Sequence, residues 1–511
     1  MRQIPLLLVA LVPALFLLGG CAGRAEFAPP PPRTPSYHLA APSTAALPRI
    51  TRRLTAGHDG LTGVYPVTSA RNALATRLAA IRAARGSIDI QYFIFRRDDT
   101  GLLLTRELVR AAARGVRVRF LLDDFTTGNA DKVLLALDRL PNIEVRLFNP
   151  FPHRGPRALE FFADFPRLQR RMHNKSLTVD DSVSFIGGRN LSNKYFGIDH
   201  EINFGDLDLI TIGAAVADIG RQFDEYWNSS YAFPVRAAIP RRLHADAWQL
   251  LKRELDGNAA ELLDSDYGRS LEPSPVIRAL SDNPQLWYWA PAQVLYDPPH
   301  KVAIAPQRNR QFAGRTLMQH ILSAQRQIVV ISPYFLPGEH YLQLLLAAAR
   351  RGVQVYILTN SLASTDVTLV HGAYRKYRRP LLAAGVHLYE LSSRLKYKLD
   401  NWNGDSRSLL HAKAFVIDGR ELYVGSFNLD RRSILLNTEL GLLIESPRLA
   451  GEIADNFIHN VGGNAYRLQL QRGELVWLDP RGPPYRQEPN ARWWQRLGSQ
   501  VSSWLPLEPL L

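Results

Sequence analysis

Cysteine is nearly absent: the 511-residue chain holds one, Cys21. One thiol makes no internal disulfide, so the fold rests on its core alone. There is no Cys or Cys/His cluster with zinc spacing, no H-E-x-x-H and no carboxylate-rich calcium loop. A Walker loop and a dinucleotide fingerprint are missing too. Ordinary side chains are left to do the chemistry, with no metal and no cofactor expected.

Acidic residues are outnumbered. Lys and Arg total 62 against 47 Asp and Glu, a formal net charge of +15. That excess favours an anionic partner: a membrane surface, a nucleic acid or a phosphate-bearing substrate. A merely basic soluble protein is the alternative. Hydrophobic content of 46% and charged content of 21% are ordinary for a globular chain. The length fits two to four domains and one or two large cores.

The longest apolar stretch is at the N-terminus. Arg2 precedes an almost wholly apolar run from Ile4 to Leu18, and Leu18-Gly19-Gly20-Cys21 follows. Small residues before a cysteine resemble a bacterial lipobox. Residues 1–21 are therefore expected to be a lipoprotein signal, with Cys21 lipidated as the new N-terminus. The alternative is an uncleaved anchor, since the run is only slightly shorter than the roughly 20 residues that span a bilayer. Ala22 after the cysteine, where Asp would retain a lipoprotein at the inner membrane, leans towards the outer membrane facing the periplasm. Residues 22–50, with a proline run at Pro29 to Pro32, read as an extended tether.

Beyond the tether the chain repeats itself at long period. Ile88 to Phe93 reads as a buried strand and is echoed by Val329 to Phe335. Helical patterns precede both, over 73–84 and 317–324. A helix ending in Ala111-Ala112-Ala113-Arg114-Gly115 matches one ending in Ala348-Ala349-Arg350-Arg351-Gly352. A second strand follows each, over 116–122 and 353–358. Gly115 to His173 is 58 residues and Gly352 to His411 is 59. The expected architecture is α/β: two homologous lobes, each a mixed sheet flanked by helices. Lobe one is placed at 51–245, an inter-lobe segment at 246–299, lobe two at 300–470 and a Trp-rich tail at 471–511.

Inside this repeat sits a duplicated His-x-Lys-x-x-x-x-Asp motif. The first copy holds His173, Lys175 and Asp180, and the second His411, Lys413 and Asp418. His and Lys two apart share one face of a strand. Asn190 and Asn428 each lie 17 residues beyond their histidine. The set suits a phosphodiester. One histidine attacks phosphorus while the other protonates the leaving alkoxide, and they exchange roles when an acceptor arrives. Lysines and asparagines supply donors to the phosphoryl oxygens around one shared phosphate. A nucleophilic histidine also needs a carboxylate on its other nitrogen. Asp208 and Glu439 are the expected equivalents, with about seven extra residues in the loop before Asp208. Asp180 and Asp418 lie at strand ends, where a turn role competes with chemistry. Half two has Ser426 where half one has Gly188, so a hydroxyl at the phosphate could come from half two only.

The duplicated motif is similar to that of the phospholipase D superfamily. Arg171-Met172-His173-Asn174-Lys175, Gly187-Gly188-Arg189-Asn190, Phe223 to Ser229, Thr359 to Leu362 and Leu436-Asn437-Thr438-Glu439 resemble its bacterial cardiolipin synthase C-like branch. The resemblance covers about residues 55–511. It implies two phospholipase D-like lobes with one active site at their pseudo-two-fold interface. It implies a phosphatidyltransferase that joins a phosphatidyl group to phosphatidylglycerol through a phosphohistidine, making cardiolipin. His173 is then the nucleophile and His411 the acid/base. Implied partners are phospholipids (phosphatidylglycerol, with phosphatidylethanolamine a second candidate donor), a membrane surface and, as an open candidate, a helper protein. No nucleic acid is expected. A phospholipase D or a nuclease using water as acceptor is the alternative, and a non-catalytic lipid-binding relic a third.

Two further stretches fit a lipid surface. Arg375-Lys376-Tyr377-Arg378-Arg379 is a basic cluster suited to anionic headgroups, or else a solvated helix face. Trp493-Trp494 to Trp504 reads as an interfacial segment, or else as a helix closing the core.

Overall fold

The computed structural model describes residues 32–271, 275–305, 312–393 and 407–504. Cys21, the signal segment and the first ten tether residues lie outside the described residues.

Among the described residues, two nine-stranded mixed sheets form the body. Each contains a run of three parallel strands. In lobe one these are Ser87–Tyr92, Arg117–Asp123 and Ile143–Phe148. In lobe two they are Gln327–Ile331, Gln354–Asn360 and His387–Leu391. Helices Asp99–Ala113 and Gly338–Arg350 make the first crossovers. Both are stopped by a glycine in the left-handed region, Gly115 at φ +90° and Gly352 at φ +95°, a conformation that other residues adopt only at a cost. The helix expected over 73–84 begins earlier, at Ala70, because Ser69 caps it by accepting the Asn72 amide at 3.4 Å.

Beside each parallel trio runs an antiparallel hairpin carrying the repeated motif, Ser176–Val179 with Val183–Gly187 and Ala414–Ile417 with Glu421–Gly425. Their inward residues, such as Leu177, Val179, Phe415 and Ile417, are buried. A further antiparallel strand flanks each hairpin, Asp208–Gly213 in lobe one and Leu440–Glu445 in lobe two.

The chain changes sheet at Pro291. Tyr288–Ala290 closes the edge of the first sheet and Ala292–Tyr296 opens the second. A core of residues from both lobes, including Val64, Leu209, Val329, Val416 and Leu442, holds the two together. Backbone pairing also crosses: Arg407–Leu410 runs parallel to Ile202–Gly205 of the other lobe.

Helix Trp493–Trp504 packs on helix Thr368–Ala383 through its small polar face, where Ser499 and Ser502 are buried against Gly372. A Cβ at Gly372 would lie 1.8 Å from Ser502 Oγ, so only glycine permits this approach. The opposite face turns Trp493, Trp494, Leu497 and Trp504 to the outside. No helix among the described residues is long and apolar enough to cross a membrane.

Candidate active site

Both histidines lie on short segments just ahead of the hairpins, and each segment is fixed twice. A polar residue ending a parallel strand holds it within its own lobe. Asp123 accepts the Met172 amide at 2.8 Å and Arg171 Nε at 2.9 Å. Asn360 accepts the Leu410 amide and donates to its carbonyl, both at 3.0 Å. The other lobe's backbone completes the grip. His173 donates its amide to Thr438 O at 2.9 Å, and His411 to Gly205 O at 2.8 Å.

The orienting carboxylates cross over in the same way. His173 Nδ1 lies 2.9 Å from Glu439 Oε2, and His411 Nδ1 lies 2.6 Å from Asp206 Oδ2. Each histidine thus takes its carboxylate from the opposite lobe. With Nδ1–H donating to a carboxylate, the Nε2 lone pair stays available for chemistry.

Asp206, not Asp208, is therefore the counterpart of Glu439, and the expectation for Asp208 is corrected. Strand register gives the reason: Gly187 faces Asp208 and Gly425 faces Gly441, so the carboxylate sits two residues before each of those partners. The loop insertion is five residues. Asp208 instead accepts Arg77 Nη2 at 2.7 Å and pairs with Arg189 at 3.2 Å, a buried ionic knot inside lobe one.

The Gly188/Ser426 difference serves these carboxylates. A Cβ at Gly188 would lie 2.2 Å from Asp206 Oδ1, so the shorter carboxylate requires a glycine beside it. Ser426 donates its hydroxyl to Glu439 and accepts the Leu440 amide, so it steadies the longer one. Asp297 accepts the Glu439 amide at 3.0 Å and Lys301 Nζ at 2.8 Å. The stretch 295–299, silent in sequence, thus braces Glu439.

Asp180 and Asp418 are turn residues. Asp180, at φ +56°, accepts the amides of Arg85, Gly86 and Ser87. Asp418, at φ +54°, does the same for Gln325, Arg326 and Gln327. Both sit at the end of the motif strand remote from its histidine, so the expectation of a catalytic role for Asp180 and Asp418 is corrected to a structural one.

Lys175 and Lys413 donate to the carbonyls of their own histidines, and Lys413 Nζ lies 3.3 Å from His411 Nε2. Asn190 spends its amide locally, accepting from the Ile94 amide and donating to Tyr195 OH at 2.9 Å. Asn428 is less committed: its Oδ1 and Glu439 Oε1 are buried without a hydrogen-bond partner among the described residues. Three rings touching the histidines were not anticipated from sequence. Phe93 meets His173 at 5.1 Å, and Tyr195 and Phe204 meet His411 at 5.0 and 5.1 Å. The signal for Asp206 was present, an acid just ahead of the flanking strand in each half, two residues before it at Asp206 and one at Glu439; nothing local marked the rings.

Burial dominates the electrostatics. It lowers His173 to a pKa of about 4, against the pull of Glu439 and with help from Lys175 and Lys413. His411 falls to about 3, through burial and Lys413, with Asp206 opposing. Both imidazoles are neutral at neutral pH. Burial also lowers Lys413 to about 8 and holds Lys175 well below its ordinary value. Burial alone would raise Asp206, but His411, Lys413 and Arg189 outweigh it and bring it to about 2. Each lysine acts on the histidine of the other lobe as well as its own. The result is one centre built from both lobes, in which two lysines face two carboxylates and two neutral imidazoles are available to a phosphodiester anion.

A family model described as "Cardiolipin synthase, PLD-like domain" matches residues 78–227 and 317–461. The chain is 40% identical to cardiolipin synthase C of Escherichia coli K12 over 470 residues, 90% of this chain and 98% of that protein. It is 26% identical to a cardiolipin synthase of Geobacillus kaustophilus over 77% of this chain and 66% of that one. A crystal structure of Haemophilus influenzae phosphatidylserine synthase shares the fold at TM-score 0.54 and 14% identity, covering 82% of this chain and 92% of that one.

Proposed function

Because this chain belongs to the cardiolipin synthase family of phospholipase D-like proteins, we propose that it is a phosphatidyltransferase making cardiolipin through a phosphohistidine. The carrying observation is the crossed pair of carboxylate–histidine contacts, which leaves two Nε2 atoms in one centre with Lys175 and Lys413. His173 Nε2 attacks phosphorus of a phosphatidyl donor, forming an N–P bond as the P–O bond to the headgroup alcohol breaks. Protonated His411 gives its proton to the departing alkoxide. The bound phosphodiester's negative charge favours that protonation, against the burial that opposes it. Neutral His411 then takes the proton of a phosphatidylglycerol hydroxyl, whose oxygen attacks phosphorus and frees His173. Lys175, Lys413 and Asn428 neutralise and orient the phosphoryl oxygens.

The test is a single turnover with phosphatidylglycerol labelled in its phosphatidyl moiety. A labelled, acid-labile adduct on the peptide holding His173, absent from His173→Ala, is expected, followed by cardiolipin. Phosphatidic acid without cardiolipin would sink the synthase reading in favour of hydrolysis, with water as acceptor.

The protein is further proposed to act at a membrane, anchored through Cys21 and facing the periplasm, with the outer membrane favoured over an inner-membrane anchor. Support comes from the net charge of +15 and from the outward Trp493, Trp494 and Trp504. These side chains suit an interface where one end is apolar and the other wet. Cys21→Ser should move the protein from the membrane to the soluble fraction; unchanged sedimentation would refute the lipid anchor.

A further inference from the structure

The ring beside His173 begins a line of aromatics that runs outward. Phe93 meets His173 edge-on and stacks on Phe125 at 6.1 Å. Phe125 meets Phe161 at 5.8 Å, and Phe161 meets Phe162 at 5.9 Å and Phe165 at 5.3 Å. Phe93, Phe161 and Phe165 are half-buried, while Phe125 is 41% exposed, Phe162 46% and Leu159 68%.

Helix Arg157–Ala163, which carries the outer end, has no buried residue. Ionic contacts hold its base. Arg157 donates to Asp124, and Arg154 reaches both Asp124 and Asp131. Glu160 accepts the amides of His153 and Gly155. Leu159 and Phe162 are thus not core residues at all; a helix clamped by charges presents them outward. Exposed apolar groups concentrated beside a catalytic centre mark a binding surface rather than packing.

The line is one-sided. The rings touching His411, Tyr195 and Phe204, are both buried and pack on each other at 4.9 Å. An apolar cavity also lies beside His411, but its walls, among them Leu358, Leu391, Leu410, Ala412 and Val461, are mostly aliphatic and carry no such line of rings.

We propose that this line is an acyl-chain track. The diacylglycerol half of the phosphatidyl donor lies along Phe93, Phe125 and Phe161, while Leu159 and Phe162 dip into the bilayer from which the lipid is drawn. The headgroup alcohol then leaves, and the acceptor enters, on the His411 side. The proposal rests on the phosphatidyltransferase reading. The occupant follows from continuity: the rings run in contact from the exposed end to His173, which would hold the phosphoryl group, and the cations of Lys175 and Arg171 lie over the inner rings of the line, Phe93 and Phe125. Aromatic side chains suit the boundary between hydrocarbon and water.

The experiment uses the full chain and the double variant Leu159→Ser/Phe162→Ser, whose exposed positions leave folding intact. Turnover is measured on dioleoyl phosphatidylglycerol vesicles and on dihexanoyl phosphatidylglycerol below its aggregation concentration. The expected result is at least a ten-fold fall in the vesicle-to-short-chain ratio, seen as a raised KM on vesicles. Phe125→Ala should in addition raise KM for the short-chain lipid. An unchanged ratio in a variant whose wild-type parent turns over both lipids overturns the track alone. A wild-type protein inert on both lipids, yet active on a soluble phosphodiester, overturns the phosphatidyltransferase reading and the track with it.

Discussion

Asp206 and Asp208 stand two residues apart, yet one faces His411 across the lobe interface and the other neutralises Arg77 within lobe one. Substitutions should separate the roles. Asp206→Asn should cut kcat by roughly 10²–10⁴-fold, as loss of an orienting carboxylate does in histidine-dependent catalysis, with little change in unfolding midpoint. Asp208→Asn should instead destabilise by about 3–5 kcal/mol, because it leaves a buried guanidinium unpaired, while the folded fraction keeps its kcat. Activity and urea unfolding measured on both variants check this; equal effects on both readouts would refute it. The histidines add a pH dependence. The unfolded chain takes up a proton at each near pH 6.5, whereas the folded chain holds His173 neutral to about 4 and His411 to about 3. Stability from this source is fully present above pH 6.5 and is lost as pH falls, at about 1.4 kcal/mol per unit per histidine. The depressed carboxylates contribute only below the ordinary carboxylate range, whereas Asp430, raised by burial to about 6, opposes the histidines between pH 6.5 and 5, so the comparison with a histidine variant isolates their share. The urea midpoint of the wild type should fall between pH 7 and 5, and fall less in His411→Asn.

At the scale of elements, the motif is a strand with different work at its two ends. Its first end delivers His and Lys to the interface, and its last end closes a turn through a carboxylate in the left-handed region. Three amides converge on Asp180, each a charge-assisted hydrogen bond. Asp180→Ala leaves those amides without their acceptor and forces alanine to φ +56°. It should destabilise by about 2–4 kcal/mol with kcat per folded molecule unchanged. A fall in kcat at unchanged stability would return Asp180 to the chemistry. The hairpins, the first two strands of each parallel trio and the crossover helices were legible in the sequence, because apolar alternation and Arg-Gly stops are local signals; the third strands, Ile143–Phe148 and His387–Leu391, were not read from it. The role of 295–299 was not, because its partner Glu439 lies more than 140 residues away.

At the scale of the molecule, the two lobes are not two half-enzymes placed side by side. Each supplies a carboxylate and a backbone acceptor for the other's histidine. Both histidines must therefore belong to one chain. Mixing His173→Ala protein with His411→Ala protein should restore no cardiolipin synthesis; recovery towards a quarter of wild type, the share of intact sites a 1:1 mixture of dimers would hold, would show a site assembled between chains. The shared core through Val64, Val329 and Leu442 gives the crossing its rigidity, since close-packed interiors transmit little slack.

The sequence by itself determined the duplicated lobes, the identity of both histidines and both lysines, and the chemistry they suit, because spacing along a strand dictates which side chains share a face. Only the tertiary structure decided which carboxylate serves which histidine. That choice depends on sheet register on either side of a five-residue insertion and on two lobes docking face to face. It also decided that Asp180 and Asp418 close turns, and that aromatic rings lead from His173 to the surface. Such relations join residues far apart in the chain, where local pattern carries no information and packing alone sets the partner.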